Sequence, residues 1–363
     1  MKYLFTIVLG LHGLIHLMGF VNAFYTTDIN MQVLGISKPI GALWLIVCVL
    51  FIIASSQFFT GKNWFYIALI AVIISQFLIL LFWKETKFGT ILNVIVLMVS
   101  LSKYSRHRFE KMVQKESKEI LLKSVDSNSR IITKNDINNL PEIVQLWLTN
   151  SGVLDKKTIT SVKLKQQGRM RIKPNGKWMP FEATQYFNVQ NPSFVWSTTV
   201  QYMPFLNMIG RDKLLNGEGE MLIKLEGLIP VVNESDNDKI NSGTMIRFLS
   251  EICWFPTAAI NDYIVWENIN ETSAKATFTF NDQSVSGVFR FTRFGELISF
   301  EADRYYGGGK TATLEKWFVE TLSFKEFSGL KIPNKSKVTW KLAEGDFHWL
   351  TVQIKHIDYN ILN

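Results

Sequence analysis

The first hundred residues carry almost no charge, and this limits the chain more than any other feature. Residues 1–102 hold five basic side chains (Lys2, Lys38, Lys62, Lys84 and Lys87) and two acids (Asp28 and Glu85). Water solvates such a segment poorly, so its apolar surface has to be buried in protein or in hydrocarbon. Four apolar stretches stand out, at 4–24, about 40–59, about 64–83 and about 88–102. A helix needs about 20 apolar residues to cross ~30 Å of hydrocarbon. The first three stretches meet that length, and the fourth meets it when the Tyr104 end reaches the interface. The connections 60–63 and 84–87 leave room only for tight turns between antiparallel neighbours. Trp44, Trp64, Tyr66, Trp83 and Tyr104 fall near several expected span ends, where amphipathic rings sit at headgroup level. The expectation is a four-helix transmembrane bundle over residues 1–103.

The first stretch also has features of a secretory signal: Lys2, an apolar run and the small-residue site Val21-Asn22-Ala23. Two histidines inside that run and three further spans after it favour a retained helix. Side preference follows the basic residues. With a cytoplasmic N-terminus, Lys2, Lys62 and everything after Lys103 lie inside. The run 103–123 carries seven basic and three acidic residues directly after the fourth span, where positive charge counts most. Both termini are therefore expected in the cytoplasm of a multi-pass protein. Residues 104–133 read as a basic juxtamembrane linker, either solvated and partly helical or lying on anionic lipid.

Polar groups within the apolar stretches are the sharpest local signals. His12 and His16 lie four residues apart and share a helix face. Gly10, Gly13 and Gly19 thin the same helix and permit close packing. Ser75, Gln76, Thr90 and Asn93 occupy similar places on the third and fourth spans. All of them need partners in hydrocarbon. One reading is a polar network that fastens the bundle. Others are a proton- or quinone-linked site, or a metal or haem site. No third histidine occurs within residues 1–102, so a bis-histidine haem would take both ligands from one helix, which the geometry disfavours.

Residues 134–363 follow a different pattern. The remaining 34 basic and 29 acidic residues lie beyond residue 102, and the balance is nearly even past residue 124. Mean hydropathy over the whole chain is only +0.11, with 19% charged residues, which fits an apolar segment followed by an ordinary polar one. Residues 138–148 have helical spacing, with Pro141 near the first turn and Gly152 as a stop. Short alternating runs follow, punctuated by Pro174-Asn175-Gly176, Asn281-Asp282, Phe294-Gly295 and Glu344-Gly345-Asp346. About a dozen strands joined by short loops predict an antiparallel meander, curved into a half-barrel with internal helices, so the whole chain reads as a multi-domain α+β membrane protein. Ser242 is expected to cap a helix running from Gly243 to Trp254, with Pro256 ending it. Arg247 and Glu251, four apart on that helix, read either as an exposed or structural pair or as a ligand-facing one.

The concave face of a curved sheet has to be covered. Trp178, Phe181, Trp196, Tyr202, Phe205, Met208 and Trp254 are candidates for its lining, together with Arg247 and Glu251. The run 202–209 reads as too irregular for a strand, and its methionines suit an adaptable apolar surface. These residues form either plain core or the wall of a pocket for an acyl chain or another hydrophobic ligand.

Several short motifs carry a resemblance. Residues 173–181 with Phe194-Val195-Trp196, Gly210-Arg211-Asp212, Gly217-Glu218-Gly219, Arg247-Phe248-Leu249-Ser250-Glu251 and Trp254-Phe255-Pro256-Thr257-Ala258 resemble a bacterial family of unknown function over roughly 140–360. The segments Leu11-His12-Gly13-Leu14-Ile15-His16, Ser75-Gln76, Gly89-Thr90 and Asn93 look like the four-span part found on some members. The resemblance implies a bacterial inner (cell) membrane and supplies no activity. In architecture the meander with internal helices is similar to the half-barrel of outer-membrane lipoprotein carriers, which hold acyl chains.

Catalytic signatures are missing from the sequence. It has no phosphate-binding loop, nucleophile elbow or His-Glu-x-x-His, and Gly307-Gly308-Gly309 lacks Rossmann spacing. His348 and His356, eight residues apart on one strand run, would stand about 26 Å apart and share no metal. Cys48 and Cys253 form no metal or redox motif and read as buried apolar side chains. Disorder, collagen, coiled coil and a disulfide-stapled secreted domain are excluded. The net charge of +8 clusters next to the membrane segment and does not point to nucleic acid. The expectation is a membrane-anchored module that binds a hydrophobic or lipid-like ligand, without cofactor, metal or assigned catalytic residue. The alternatives are a redox or proton-linked protein using His12 and His16, and a scaffold for a protein partner of unspecified kind.

Overall fold

A computed structural model describes residues 2–25, 35–122, 129–204 and 206–361. The chain divides into two compact units. One comprises residues 1–109 with the short segment 226–228, and the other comprises 110–225 with 229–363.

The first unit is helical. Helices α1 (Lys2–Tyr25), α2 (Lys38–Thr60) and α3 (Phe65–Leu81) are followed by a single turn, α4 (Trp83–Thr86), and by α5 (Gly89–Leu122). Pro39 opens α2, where its missing N–H costs nothing, and Gly61 closes it in the left-handed region at φ 75°. α1 and α2 pack closely because glycines stand at their contacts. A Cβ at Gly19 would lie 2.4 Å from the Trp44 ring, and one at Gly41 would lie 2.3 Å from Ala23 Cβ. By length and composition α1 and α2 are long and apolar enough to cross a membrane, whereas α3 has 17 residues. The helix that carries the fourth apolar stretch does not end with it at Ser102. Helix α5 runs on through the basic segment to Leu122, and its residues from Glu110 belong to the second unit.

The second unit is α+β and is built on one open antiparallel sheet of thirteen strands among the described residues. The strands are β1 (Ser161–Met170), β2 (Met179–Asn188), β3 (Ser193–Met203), β4 (Leu206–Leu215), β5 (Glu218–Leu225), β6 (Ile229–Glu234), β7 (Ile264–Asn270), β8 (Ser273–Phe280), β9 (Gln283–Phe291), β10 (Leu297–Tyr306), β11 (Thr313–Phe327), β12 (Leu330–Leu342) and β13 (Gly345–Tyr359). Their order is 6-5-4-3-2-1-13-12-11-10-9-8-7. Two meanders thus join where β1 pairs with β13, and β6 and β7 are the outer edges. Asn216-Gly217, Asn281-Asp282 and Ser328-Gly329 all sit at positive φ, which gives two-residue turns the twist that hairpins need.

The segment between the edge strands crosses the sheet. It contains α7 (Asp238–Glu251) and the 3-10 turns Ile252–Trp254 and Pro256–Ile260. α7 contacts β4 and β5 as well as β8, β9 and β10. In a flat sheet β5 and β9 would be about 43 Å apart at ~4.8 Å per strand, far beyond the reach of one helix. The sheet therefore curls around α7, far enough for Asn281 Nδ2 on one hairpin turn to donate to Asn216 O on another at 2.9 Å. Met245, Phe248, Leu249 and Ile252 are fully buried in the resulting core, each contributing about 1.5–3 kcal/mol of burial.

Two sequence readings need correction. The helix begins four residues before Ser242. Asn237 caps it by accepting from Ile240 N at 2.9 Å, and Ser242 lies in the second turn with its hydroxyl donating to Lys239 O. Within the run 202–209, Tyr202 and Met203 end β3 and residues from Leu206 onward begin β4. Pro204 lies between β3 and β4, and the alternation of β4 is hidden because its inward positions include Gly210 and Asp212, which carry no strand signal. Residues 142–150 form α6, with Pro141 at its N-cap position. Cys48 and Cys253 are free and buried.

Candidate functional site

The register of the sheet sets which side chains face α7. On β2 the buried positions alternate as Met179, Phe181, Ala183, Gln185 and Phe187. Phe181 stands opposite Val200 of β3, and Val200 opposite Met208 of β4. On the other meander Ala302, Trp317, Trp340 and Phe347 lie in one row across β10 to β13. Between these rows and α7 lies a cavity of about 630 Å³. Its lining is mainly apolar and aromatic, as in sites for small apolar ligands. Two other hollows, of about 710 and 730 Å³, are walled largely by charged and polar residues such as Lys165, Gln167 and Glu182.

A polar cluster sits on the cavity wall. Leu164, Gln185, Trp196 and Asp212 are register neighbours across β1 to β4, so the last three form a polar row beside an apolar one. Arg247 of α7 reaches this row. Its Nε lies 2.8 Å from Glu251 Oε1, and its Nη1 lies 2.6 Å from Asp212 Oδ2. The guanidinium also stands over Trp196 at 4.6 Å and Phe194 at 5.1 Å. Gln185 Nε2 donates to Glu251 Oε2 at 2.7 Å, and Trp196 Nε1 donates to Gln166 Oε1 at 2.7 Å. Burial pushes the Asp212 and Glu251 carboxyls up, against the pull of Arg247. Arg304 on β10 approaches from the opposite meander. Burial, and then the charge of Arg247, pull it down to about 10, so it stays protonated at neutral pH.

The sequence candidates divide accordingly. Phe181, Trp196, Met208, Arg247, Glu251 and Trp254 line this cavity. Trp178 lies elsewhere, with Arg171 4.7 Å from its ring centroid and the His348 ring 4.8 Å away. Tyr202 packs against a small apolar cluster around Met179 and Val200. Phe205 lies outside the described residues. Gln166, Gln185, Asp212, Arg304, Trp317 and Trp340 also line the cavity or bind its polar groups, and sequence reading did not select them as pocket residues. Glu301 and Asp303, which flank Arg304 on β10, pair with Arg290 and Lys316.

The outer side of the same strands is polar. Arg211 and Lys213, flanking Asp212, both face Glu116 of α5 and Glu220 of β5. Asn188 Nδ2 donates to Ile120 O of α5 at 2.9 Å. The last turns of α5 thus close against the outer face through an ion-pair cluster.

In the helical unit, the six polar residues read from the sequence form one network. His16 Nδ1 lies 2.7 Å from the His12 carbonyl, which only accepts, so this nitrogen carries the proton. His16 Nε2 lies 2.8 Å from the Ser75 hydroxyl. Ser75 Oγ accepts from Asn93 Nδ2 at 3.0 Å, and Asn93 Oδ1 accepts from His12 Nε2 at 2.9 Å. The four bonds close a ring across α1, α3 and α5. Asn93 Nδ2 also donates to Gln76 Oε1, and Gln76 Nε2 donates to Thr90 Oγ1, both at 3.1 Å.

Residues 138–359 match a family described as a family of unknown function, DUF6920. No curated protein matches the chain. Among solved structures, the chain is similar to a domain described as an outer membrane lipoprotein-sorting protein domain from Vibrio parahaemolyticus, at 8% identity and a TM-score of 0.32, covering 55% of this chain and 85% of that one. It is also similar to a DUF1329 family protein from Desulfovibrio piger, at 10% identity and a TM-score of 0.33, covering 60% and 92%. Likenesses this slight support no inference about function.

Proposed function

The chain belongs to DUF6920, a family whose description assigns no activity, and from its own residues we propose that it is a membrane-anchored protein that holds a hydrophobic, lipid-like ligand in the hollow of its β unit. The observation that carries this reading is the cavity of about 630 Å³ between α7 and the sheet. Core side chains normally fill such a space. Here Phe181, Met208, Trp254, Trp317 and Trp340 wall it, and Arg247 already satisfies Asp212 and Glu251. An apolar chain would remove these aromatic and aliphatic walls from water without disturbing the ion pairs of Arg247.

The anchor is read as a four-span bundle. Its outward surface supports this: Leu4, Leu11 and Met18 on α1, Ile73 and Leu80 on α3, and Ile91 and Met98 on α5 are exposed, whereas His12, His16, Ser75 and Asn93 are buried. Apolar outside and polar inside is the arrangement that hydrocarbon favours. His12 and His16 fasten α1 to α3 and α5. The basic residues beginning at Lys103 support a cytoplasmic position for the β unit at a bacterial cell membrane.

Full-length protein purified in mild detergent tests the ligand. Native mass spectrometry after organic extraction should find a co-purifying apolar molecule that exchanges with an added fatty acid. A chain that retains and exchanges none would defeat the reading. Sidedness is tested separately with Ser328→Cys and an impermeant maleimide, because Cys48 and Cys253 are buried and give little background. Labelling only after permeabilisation supports the cytoplasmic placement, and labelling of intact cells opposes it.

A further inference from the structure

One guanidinium on the cavity wall is held firmly and left without a counterpart. Arg304 Nε donates to Gly243 O of α7 at 3.0 Å. The group stands over Trp317 at 4.8 Å and over Trp340 at 5.7 Å. One hydrogen bond and two aromatic faces thus fix its position. Among the described residues no carboxylate lies within ion-pair distance of Arg304, and neither Nη group has a protein hydrogen-bond acceptor. The two carboxylates of the polar cluster are bound by Arg247 instead. Other charges on the wall are Lys239, whose Nζ donates to the carbonyls of Gly309 and Ala312, Arg171, whose Nε donates to His348 O, and Glu234, half-exposed on edge strand β6. Unpartnered buried polar atoms of cavity-lining residues are donors too: the indole N–H groups of Trp317 and Trp349.

A wall with surplus donors calls for a guest that accepts. A guanidinium fork presents two parallel N–H groups whose spacing matches two oxygens of a carboxylate or phosphate. We propose that the ligand is an acidic amphiphile, with a single oxyanion head accepting from both Nη groups of Arg304 and an apolar tail lying against Phe181, Val200 and Met208. This rests on the ligand-binding reading and adds the chemical class of the ligand. Arg304 acts as the selecting residue: it distinguishes an acid from a neutral lipid of the same tail.

Delipidated full-length protein in detergent is titrated with oleic acid and with oleyl alcohol at pH 8, following tryptophan fluorescence and native mass spectra. Lysophosphatidic acid and monooleoylglycerol form a second pair, which separates a phosphate head from a carboxylate. At least one acid should bind ten-fold or more tighter than its neutral partner. Arg304→Gln should bring that acid down to the neutral partner's affinity while leaving the neutral affinity unchanged. Equal binding of acids and neutral lipids to the unaltered protein overturns the assignment while the ligand-binding reading stands, and needs no variant. So does an acid preference that survives in Arg304→Gln. If none of the four binds, both readings fall.

Discussion

Arg247 and Asp212 meet at 2.6 Å across the interface between α7 and β4, inside the curl of the sheet. The same guanidinium holds Glu251, so one cation serves two buried carboxylates. Replacing it with Leu leaves both anions in an apolar wall, and that removal should cost about 3–5 kcal/mol of stability. Chemical denaturation of the full chain in detergent measures the loss. The triple variant Arg247→Leu, Asp212→Leu, Glu251→Leu should recover much of it.

The Arg247→Leu variant should also change its pH response. Burial already raises the Asp212 and Glu251 carboxyls, and Arg247 is the foremost of the groups that oppose that rise. Without it, the folded state binds protons more tightly than the unfolded chain, so stability falls as pH rises. The deficit relative to the natural protein should be larger at pH 8 than at pH 5. An equal deficit at both values would mean that the carboxyls titrate normally.

Asp136 should behave in the opposite sense. The Thr133 amide and the Arg130 guanidinium hold its carboxyl down at about 2. A lowered folded pKa gives stabilisation that is complete above the unfolded value near 4 and is lost as pH falls towards 2. Asp136→Asn should therefore melt lower than the natural chain at pH 6, and the two melting curves should converge near pH 2.

Filling the hollow should separate binding from folding. Val200→Trp with Ile223→Trp places two indoles on its wall. Loss of the co-purifying ligand is expected, with a melting temperature within a few degrees of the natural one. Retained ligand at natural occupancy would place the guest elsewhere.

Breaking the ring between His12, His16, Ser75 and Asn93 should loosen the helical unit. Asn93→Leu removes one acceptor and two donated bonds at once. At roughly 0.6–2 kcal/mol for each interhelical bond in a membrane, the loss should exceed that of Thr90→Val, which removes one. Unfolding in mixed micelles reports the difference.

The sequence exposed these two polar systems unequally. His12, His16, Ser75, Gln76, Thr90 and Asn93 were visible because each interrupts an apolar run, and an interruption there needs a partner. Arg247 and Glu251 were visible through helical spacing. Arg304, Gln166 and Gln185 were not, because a polar residue on a strand reads as outward-facing until the register is known. Yet Arg304 shares its phase with Phe300, Ala302 and Tyr306, and Gln185 shares its phase with Phe181 and Phe187. Asp212 lay hidden in the same way between Arg211 and Lys213, whose side chains face Glu116. The meander itself was legible from turn chemistry such as Asn281-Asp282. The pairing of β1 with β13 was not, because no local signal joins segments so far apart.

That pairing has a consequence for how the protein is made. Val162 lies opposite Tyr359, and Thr160 N donates to Asn360 Oδ1 at 2.8 Å. While the chain emerges from the ribosome, β1 must wait with one flank unpaired until nearly two hundred more residues have been translated. Such late closure makes assembly slow and leaves a sticky border exposed meanwhile. With its first helices in lipid, as proposed above, a nascent chain would pass this vulnerable interval immobilised, apart from its siblings.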